Sequence, residues 1–450
     1  MNIIYLMRHS ISFGNEEKIV QGSFDYGLSN SGKELLKKID YSMIKRVDNI
    51  YSSPYKRALE TSLIVKNIIN AKCDIFLDND LVEKSAGILN GKSKQYLKKY
   101  KPNFFDIYLE RGDYDLIPNG EKWKYTQARV LSFLERYIDI QNKYDLVVTH
   151  AAFMRMFLNT INYKQRNNQI ELPNGCIFKI KDPLKNLHII KYEIAKSSTV
   201  FKISTFDNNY ILKKTNKNIG CYDYSIYKLL IFLSKYITVP KPIYMCSKTN
   251  YSIKIYDYIE GKHIFGKIDE ANKKQLITET YKLYKLMNEY NENNKDDFET
   301  KDIISDMFYI RKNLKNKRYI KIVDELINDD ELNTYLDIAE YTLVHNDLHR
   351  YNILFNEKHI GFLDFDGIKR CPEYLQIASF IATCFLLEEC NMDIEEILKY
   401  WPERVQLNIV KKLIIYRLLY GLSFFDNKKN KDNTDSKIRN KYIKAIERMI

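Results

Sequence analysis

Short apolar runs alternate with amphipathic stretches through the first half of the chain. Residues 3–7, 49–52 and 146–149 are nearly continuous apolar segments, the pattern of strands buried on both faces. Residues 32–39, 57–69 and 124–140 carry apolar positions at helical period and predict helices between or after those strands. That rhythm predicts an α/β layer with a largely parallel sheet. Pro173-Asn174-Gly175 predicts a turn. It leads into an alternating pair, 176–180 and 187–194, expected as an edge hairpin.

Near residue 195 the pattern changes. Residues 199–204 and 210–214 alternate like antiparallel strands around Asp207-Asn208-Asn209. A helix is expected at 223–236, then strands at 243–246 and 251–258. Residues 270–338 are helical in period and polar in composition. A second helical stretch follows the His345 region to residue 450, broken by a Lys/Asn/Asp-rich segment, 427–436, expected as a solvated loop. No internal repeat is visible. The expected domains are 1–196 and 197–450, the second with a strand-rich small lobe at about 197–262 and a helical large lobe at about 263–450.

Composition changes this picture little. A chain of 450 residues suits two domains. The net charge of +13 comes from lysines spread along helical faces, which predicts a solvated basic surface and no nucleic-acid groove. Such a field also attracts phosphorylated metabolites. Cys73, Cys176, Cys221, Cys246, Cys371, Cys384 and Cys390 are scattered without CxxC spacing, as in a reducing compartment. No apolar run approaches the roughly 20 residues of a membrane span, and Arg8 follows the N-terminus too closely for a signal peptide. The expectation is a cytoplasmic protein with small-molecule partners and neither nucleic acid nor membrane.

Candidate chemistry sits at the predicted strand ends. Arg8 and His9 end the first strand, Arg57 opens the helix after 49–52, and His150 ends the strand at 146–149. Ligands of α/β sheets bind beyond the carboxyl ends of strands, so these groups can converge on one phosphate. A neutral, oriented histidine facing a neutralised phosphate is a nucleophile toward phosphorus, and the planar fork of arginine matches phosphate oxygens. Gly91-Lys92-Ser93 ends like a P-loop, but Ala86 stands where that loop needs glycine.

Several ordered motifs over roughly residues 1–194 resemble the histidine phosphatase superfamily of phosphoglycerate mutase-like enzymes. Leu6-Met7-Arg8-His9-Ser10, with Asn15 and Gln21-Gly22, is similar to its opening motif. Ser52-Ser53-Pro54-Tyr55-Lys56-Arg57-Ala58 is similar to its second. Leu81-Val82-Glu83 with Gly87 and Gly91, then Pro118-Asn119-Gly120-Glu121, then Thr149-His150-Ala151-Ala152 complete the series. The resemblance implies that His9 is phosphorylated and that Arg8, Arg57 and His150 bind the phosphoryl group, with Asn15 or Gln21 helping. It also implies that Glu83 protonates the leaving oxygen, a task that calls for a raised pKa, and that this domain uses no cofactor. Ser10 and Ala151-Ala152 replace usual glycines, and Ser10 could narrow the pocket.

In the second half, Asp347 and Asn352 share one loop, and Asp364 follows a short apolar strand, Ile360-Gly361-Phe362-Leu363. A base and an amide ligand facing a strand-end carboxylate suit phosphoryl transfer from a nucleotide, and Mg2+ prefers such oxygen ligands. His345 and His349 have no following glutamate and no third ligand, so zinc is not expected, and His345 is expected to hold the loop by hydrogen bonding. These residues resemble the aminoglycoside phosphotransferase and choline kinase family over roughly 198–450. The resemblance implies Asp347 as catalytic base, Asn352 and Asp364 as Mg2+ ligands with Asp366 assisting, and Lys213 on the nucleotide phosphates. Lys214 would point to the other face of its strand. Asp257, Tyr258 and Ile259 would lie in the adenine-contacting hinge, and the implied cofactors are ATP and Mg2+. Only Asp223 is offered as an ion-pair partner for Lys213, and Gln376 stands where the family often has aspartate. The absence of a glycine-rich loop disfavours a protein kinase.

Together the resemblances imply an α/β histidine phosphatase fold, a mostly parallel sheet flanked by helices, followed by a two-lobed α+β protein-kinase-like fold. The implied function is bifunctional: a phosphatase for a small phosphoester and a kinase for a hydroxyl of a sugar, amino sugar, choline or nucleoside. The alternatives are a phosphatase with a non-catalytic kinase-like module, and a kinase domain acting on a macromolecule. ATP versus GTP and the oligomeric state stay open.

Overall fold

The computed structural model describes residues 1–107, 114–163, 171–195, 198–263, 269–356, 359–386, 394–401, 403–428 and 433–450. The chain forms two compact units, Met1–Asn218 with Ile243–Asp257, and Ile219–Pro242 with Tyr258–Ile450.

The first unit opens with strands β1 (Ile3–Arg8), β2 (Ile19–Val20), β3 (Asn49–Ser52), β4 (Ile75–Leu77), β5 (Lys92–Ser93), β6 (Tyr144–Thr149) and β7 (Ile177–Lys181). A sheet of order β4-β3-β6-β1-β7 is parallel except for β7, which runs antiparallel to β1. The apolar runs of β1 and β6 serve two cores, because successive side chains point to opposite faces. Ile4, Leu6 and Val147 join Val130, Phe133, Phe153 and Phe157 on one face. Ile3, Tyr5, Met7, Leu146 and Val148 join Leu36, Ala58 and Val65 on the other. Helices Trp123–Leu134 and Ala151–Thr160 cover the first face, and Asn30–Lys38 and Lys56–Ile68 the second.

A second sheet completes this unit. Its strands are β8 (His188–Ala195), β9 (Ser198–Ser204), β10 (Asn209–Thr215), β11 (Pro242–Ser247) and β12 (Ser252–Asp257), in the order β11-β12-β10-β9-β8. The expected edge hairpin of 176–180 with 187–194 does not form: β7 closes the first sheet, whereas β8 pairs with β9. Asp182, at φ 45, turns the chain away, and Leu187 and Ile189 then pack with the second sheet. Phe201, Ile203, Tyr210, Leu212, Ile243, Ile253 and Ile255 bury against Ala128 and Leu131. The Trp123–Leu134 helix is thus sandwiched between two sheets and is buried at every position from Thr126 onward. The expected boundary at 196 and 197 falls on residues outside the described set.

The second unit contains helix Cys221–Leu233, strands β13 (Lys262–His263), β14 (Tyr341–Val344), β15 (Ile353–Asn356), β16 (His359–Phe362) and β17 (Lys369–Pro372), and a helical remainder. Residues 270–338 form four helices, Glu270–Asn293, Ile303–Asn313, Lys317–Ile327 and Asp330–Ile338. The solvated loop expected at 427–436 is shorter than expected, because helix Asn433–Glu447 begins inside it. Charges there pair instead of remaining in water, as in Lys428–Asp435 at 2.6 Å and Arg439–Asp426 at 2.7 Å. Residues 429–432 of that loop lie outside the described residues. Among the described residues no helix is long and apolar enough to cross a membrane.

Candidate active sites

A cavity of about 230 Å³ opens at the carboxyl ends of β1 and β6. Arg8, His9, Asn15, Gln21, Arg57 and Glu83 line it, as do Lys84, Lys94, Ala151, Ala152 and Arg155. His9 is buried, and its Nδ1 lies 2.6 Å from the Ser10 carbonyl oxygen. Nδ1 therefore carries the proton and donates, which leaves Nε2 with its lone pair. Burial, then the charges of Arg57 and Arg8, hold the His9 pKa well below 6.5, so the imidazole is neutral at neutral pH.

His150 lies behind His9, with ring centroids 5.1 Å apart, as the residue between β6 and its helix. Arg57 Nε donates to His150 Nδ1 at 3.2 Å. A guanidinium only donates, so the proton of His150 sits on Nε2, which donates to Ser53 Oγ at 2.8 Å. Burial and the Arg57 charge hold His150 neutral as well. Arg57 also donates to the carbonyls of Phe24 at 2.7 Å and Gly22 at 2.9 Å. It thereby ties the loop after β2 to the site. Arg8 donates to the Leu172 carbonyl.

Asn15 and Gln21 meet at Ser12, whose Oγ lies 2.9 Å from Asn15 Oδ1 and 2.8 Å from Gln21 Oε1. Asn174, in the turn read from sequence, donates to the carbonyls of His9 and Ser10 at 3.1 Å each and so clamps the His9 backbone. Sequence reasoning assigned it no role. Ser10 does not line the cavity: its hydroxyl donates to Gly32 O at 2.7 Å, away from His9.

Glu83 reaches the N-terminus of the Ala151–Thr160 helix. Its carboxylate accepts from the amides of Ala152 and Phe153, both at 3.2 Å. Gly87 closes the acid loop at φ +56, where a Cβ would fall 2.1 Å from the Pro118 carbonyl oxygen. That contact brings the Pro118-Asn119-Gly120-Glu121 motif beside the loop. Glu121 in turn forms a bidentate pair with Arg129, both bonds 2.9 Å. Lys84, Lys94 and Arg155 were missed because lysines and arginines at polar positions read as solvated surface. Only the adjacency of Lys84 to Glu83 could have flagged it.

In the second unit Asp347, Asn352, Asp364 and Asp366 share one loop cluster. Asn352 Nδ2 donates to the Asp347 carbonyl at 2.8 Å, so Oδ1 is the atom of this amide that could meet a cation. The Leu363 amide donates to the Asn352 carbonyl at 2.8 Å, drawing the end of β16 to that loop. Asp364 sits at φ 58, in the left-handed region, and a Cβ on nearby Gly367 would lie 3.9 Å from Asp347 Cβ. Two carboxylates and an amide oxygen are ligand types that a hard cation such as Mg2+ takes, although among the described residues no three His, Cys, Asp or Glu side chains stand together as a metal group. His345 is buried, and its Nε2 donates to the Leu363 carbonyl at 2.9 Å, which fastens the loop to the end of β16. Gln376 keeps a structural task despite its departure from aspartate: its Oε1 accepts the His345 amide at 3.1 Å. Arg417, unassigned from sequence, donates to the Asn346 carbonyl at 2.6 Å and stands 3.7 Å from Asp347 Oδ1.

Lys213 and Asp257 belong to the first unit, and Tyr258 and Ile259 to the second. Lys214 turns to the buried face of β10 and pairs with Glu135 at 2.7 Å, which puts Lys213 on the opposite face. Asp257 pairs with Lys124. Asp223 caps its own helix, accepting the Gly220 amide at 2.8 Å. Residues 387–393 and 402, within the second helical stretch, lie outside the described residues.

The family model for the histidine phosphatase superfamily (branch 1) matches residues 4–189. The model for the phosphotransferase enzyme family matches residues 224–372. Phosphoglycerate mutase-like protein 4 of Arabidopsis thaliana is 30% identical over 159 residues, covering 34% of this chain and 67% of the relative. Putative phosphoserine phosphatase 2 of Hydrogenobacter thermophilus is 30% identical over 153 residues, covering 34% of this chain and 74% of the relative. Among solved structures, amicoumacin kinase hAmiN in complex with AMP-PNP, Ca2+ and Ami is 15% identical, covers 59% of this chain and 88% of that one, and gives a TM-score of 0.45.

Proposed function

We propose, for a chain that belongs to the histidine phosphatase superfamily over residues 4–189 and to the phosphotransferase enzyme family over 224–372, that one polypeptide carries two phosphate-transfer activities. The first domain hydrolyses a small phosphoester through a phosphohistidine. The second phosphorylates a hydroxyl of a small polar metabolite from Mg-ATP. The observation that carries the reading is a buried, neutral His9 in a cationic cavity that also holds one carboxylate, Glu83.

In the first reaction His9 Nε2 attacks phosphorus and the ester P–O bond breaks. Glu83 gives its proton to the leaving oxygen. Water then attacks the phosphohistidine and passes a proton to the Glu83 carboxylate. The P–N bond breaks, inorganic phosphate leaves, and His9 returns neutral. Arg8, Arg57 and His150 bind the phosphoryl oxygens, with Asn15 or Gln21 helping. In the second reaction Asp347 accepts the proton of the acceptor hydroxyl, and Lys213 binds nucleotide phosphate. Asn352, Asp364 and Asp366 would hold Mg2+, which neutralises charge on the transferring phosphate. Asp257, Tyr258 and Ile259 would contact the base. We read the two activities as successive steps on one route, because two unregulated opposing sites would only hydrolyse ATP. Cys73, Cys176, Cys221, Cys246 and Cys371 are free thiols, in keeping with a cytoplasmic setting.

The test is ADP release by His9→Ala protein with Mg-ATP across choline, amino sugars, sugars and nucleosides. His9→Ala prevents the phosphatase from erasing product. An acceptor-dependent signal, absent when Asp347→Ala is added, is expected. Silence across the panel, in a protein whose wild type hydrolyses phosphoesters, overturns the kinase half and leaves a phosphatase with a non-catalytic module. Label transferred to a macromolecule overturns the small-metabolite assignment.

A further inference from the structure

The segment that delivers Glu83 is fastened by residues outside the phosphatase sequence. Asp78 and Asp80 flank the start of a single 3-10 turn, Asn79–Leu81, just before Glu83. Both carboxylates are buried, Asp80 completely. Asp78 Oδ1 accepts the Asp80 amide at 3.0 Å and so caps the turn. Lys248, directly after β11, lies between the two carboxylates, its Nζ 3.0 Å from Asp78 Oδ1 and 2.7 Å from Asp80 Oδ2. Tyr244, on β11, donates its hydroxyl to Asp80 Oδ1 at 2.7 Å. Lys248 and Tyr244 fall inside the residues matched by the phosphotransferase family and outside those matched by the phosphatase family.

The rest of the segment is held from the phosphatase side. Arg129 donates to the Asp80 carbonyl and, at 2.8 Å, to that of Val82. Thr149 Oγ1, next to His150, donates to the Leu81 carbonyl at 2.6 Å. Every backbone carbonyl from Asp80 to Val82 is therefore fixed, and Glu83 follows from that anchor. Arg136 also pairs with Asp78, so Asp80 depends on Lys248 for its cation more than Asp78 does.

We propose that Lys248 and Tyr244 are positioning residues for phosphoester hydrolysis: β11, in the sheet that carries Lys213, sets the backbone from which Glu83 reaches the leaving oxygen. The proposal rests on the reading of Glu83 as general acid. It makes the phosphatase dependent on residues of the kinase-family sequence.

A leaving-group comparison separates positioning from general damage. Full-length wild type, Tyr244→Phe, Lys248→Met and Lys248→Arg are assayed on p-nitrophenyl phosphate, whose leaving group departs without a proton, and on glycerol 2-phosphate, whose alkoxide needs one. Lys248→Met is expected to lower kcat on glycerol 2-phosphate about tenfold while changing p-nitrophenyl phosphate turnover by less than about twofold. Lys248→Arg is expected to recover part of the loss. Tyr244→Phe keeps the ring's packing and removes one hydrogen bond, with an expected loss of about threefold on glycerol 2-phosphate alone. If Lys248→Met fails to fold, Tyr244→Phe decides. Equal losses on both esters, or an unchanged Tyr244→Phe, overturn the proposal. Wild type that turns over neither ester overturns the phosphatase reading itself and the proposal with it.

Discussion

Arg57→Met tests directly what keeps His9 neutral. Arg57 is almost wholly buried, and its charge is the largest electrostatic influence on His9 after burial. Arg57 Nε lies 3.2 Å from His150 Nδ1, and the two histidine rings are 5.1 Å apart. Both groups pack against His150, and a charge on the order of 5–10 Å away at an effective dielectric of about 20 is worth about 2–3 kcal/mol. Removing the positive charge makes protonation of His9 easier, so its pKa rises. The acid limb of kcat/KM against pH, measured with p-nitrophenyl phosphate, reports the free enzyme's essential base and should move upward. Arg57→Lys keeps a charge but loses the fork that holds Gly22, Phe24 and His150 together. Its expected signature is a fall in kcat/KM with an acid limb that stays near the wild-type position. A limb that does not move in Arg57→Met would refute the argument that arginine charge keeps His9 neutral.

Two further outcomes follow from the same geometry. His9 and His150 are neutral in the fold with pKa values well below 6.5, so the unfolded chain binds more protons in acid and stability falls as pH drops through 6.5; urea midpoints at pH 7.5 and 5.5 should differ, each histidine contributing on the order of 1 kcal/mol, and equal midpoints would contradict the assignment. Arg417→Met removes the donor to the Asn346 carbonyl and the cation beside Asp347, and should lower kcat for phosphotransfer about tenfold with KM for ATP little changed; a change confined to KM would place Arg417 in ligand binding.

The first sheet was legible because Ile3–Met7 of β1 and Leu146–Val148 of β6 are unbroken apolar runs, with Ile50-Tyr51 marking β3 between them. Their ends carry Arg8, His9 and His150, so the first site could be read from residue order alone. The helix Trp123–Leu134 shows where that reading stops. Thr126, Gln127, Arg129 and Ser132 are polar and read as a solvent face, yet all are buried. Gln127 takes the Tyr210 hydroxyl, Ser132 lies 3.3 Å from Cys246 Sγ, and Arg129 pairs with Glu121. Hydrophobic period registers which side chains are apolar and is blind to polar ones satisfied by a distant partner. For that reason the second buried face of this helix, and the packing of the second sheet on it, were not foreseen, although the strands of that sheet were. Gln376 is the opposite case. By type it looked like a lost aspartate, but an amide oxygen accepts a backbone amide as a carboxylate does.

The double-faced helix also decides where this chain can be cut. A fragment ending at residue 196 keeps every side chain assigned to the first site but removes β9 to β12. Ala128 and Leu131, at 0% and 1% exposure, would then face water. Asp78 and Asp80 would lose Lys248 while staying in a protein interior. Exposing a leucine costs about 1.5–3 kcal/mol, and stripping the cation from a buried pair about 3–5. The combined penalty, on the order of 5 kcal/mol, approaches the whole stability of many domains. The fragment 1–196 should therefore melt far below the full chain. The fragment 1–257 retains all of the first compact unit, including β11 and β12, and should recover most of the difference. Thermal melts of the two fragments beside the full chain test this. If 1–196 melts with the full chain and hydrolyses glycerol 2-phosphate at the same rate, the second sheet is a neighbour of the phosphatase and not part of its fold.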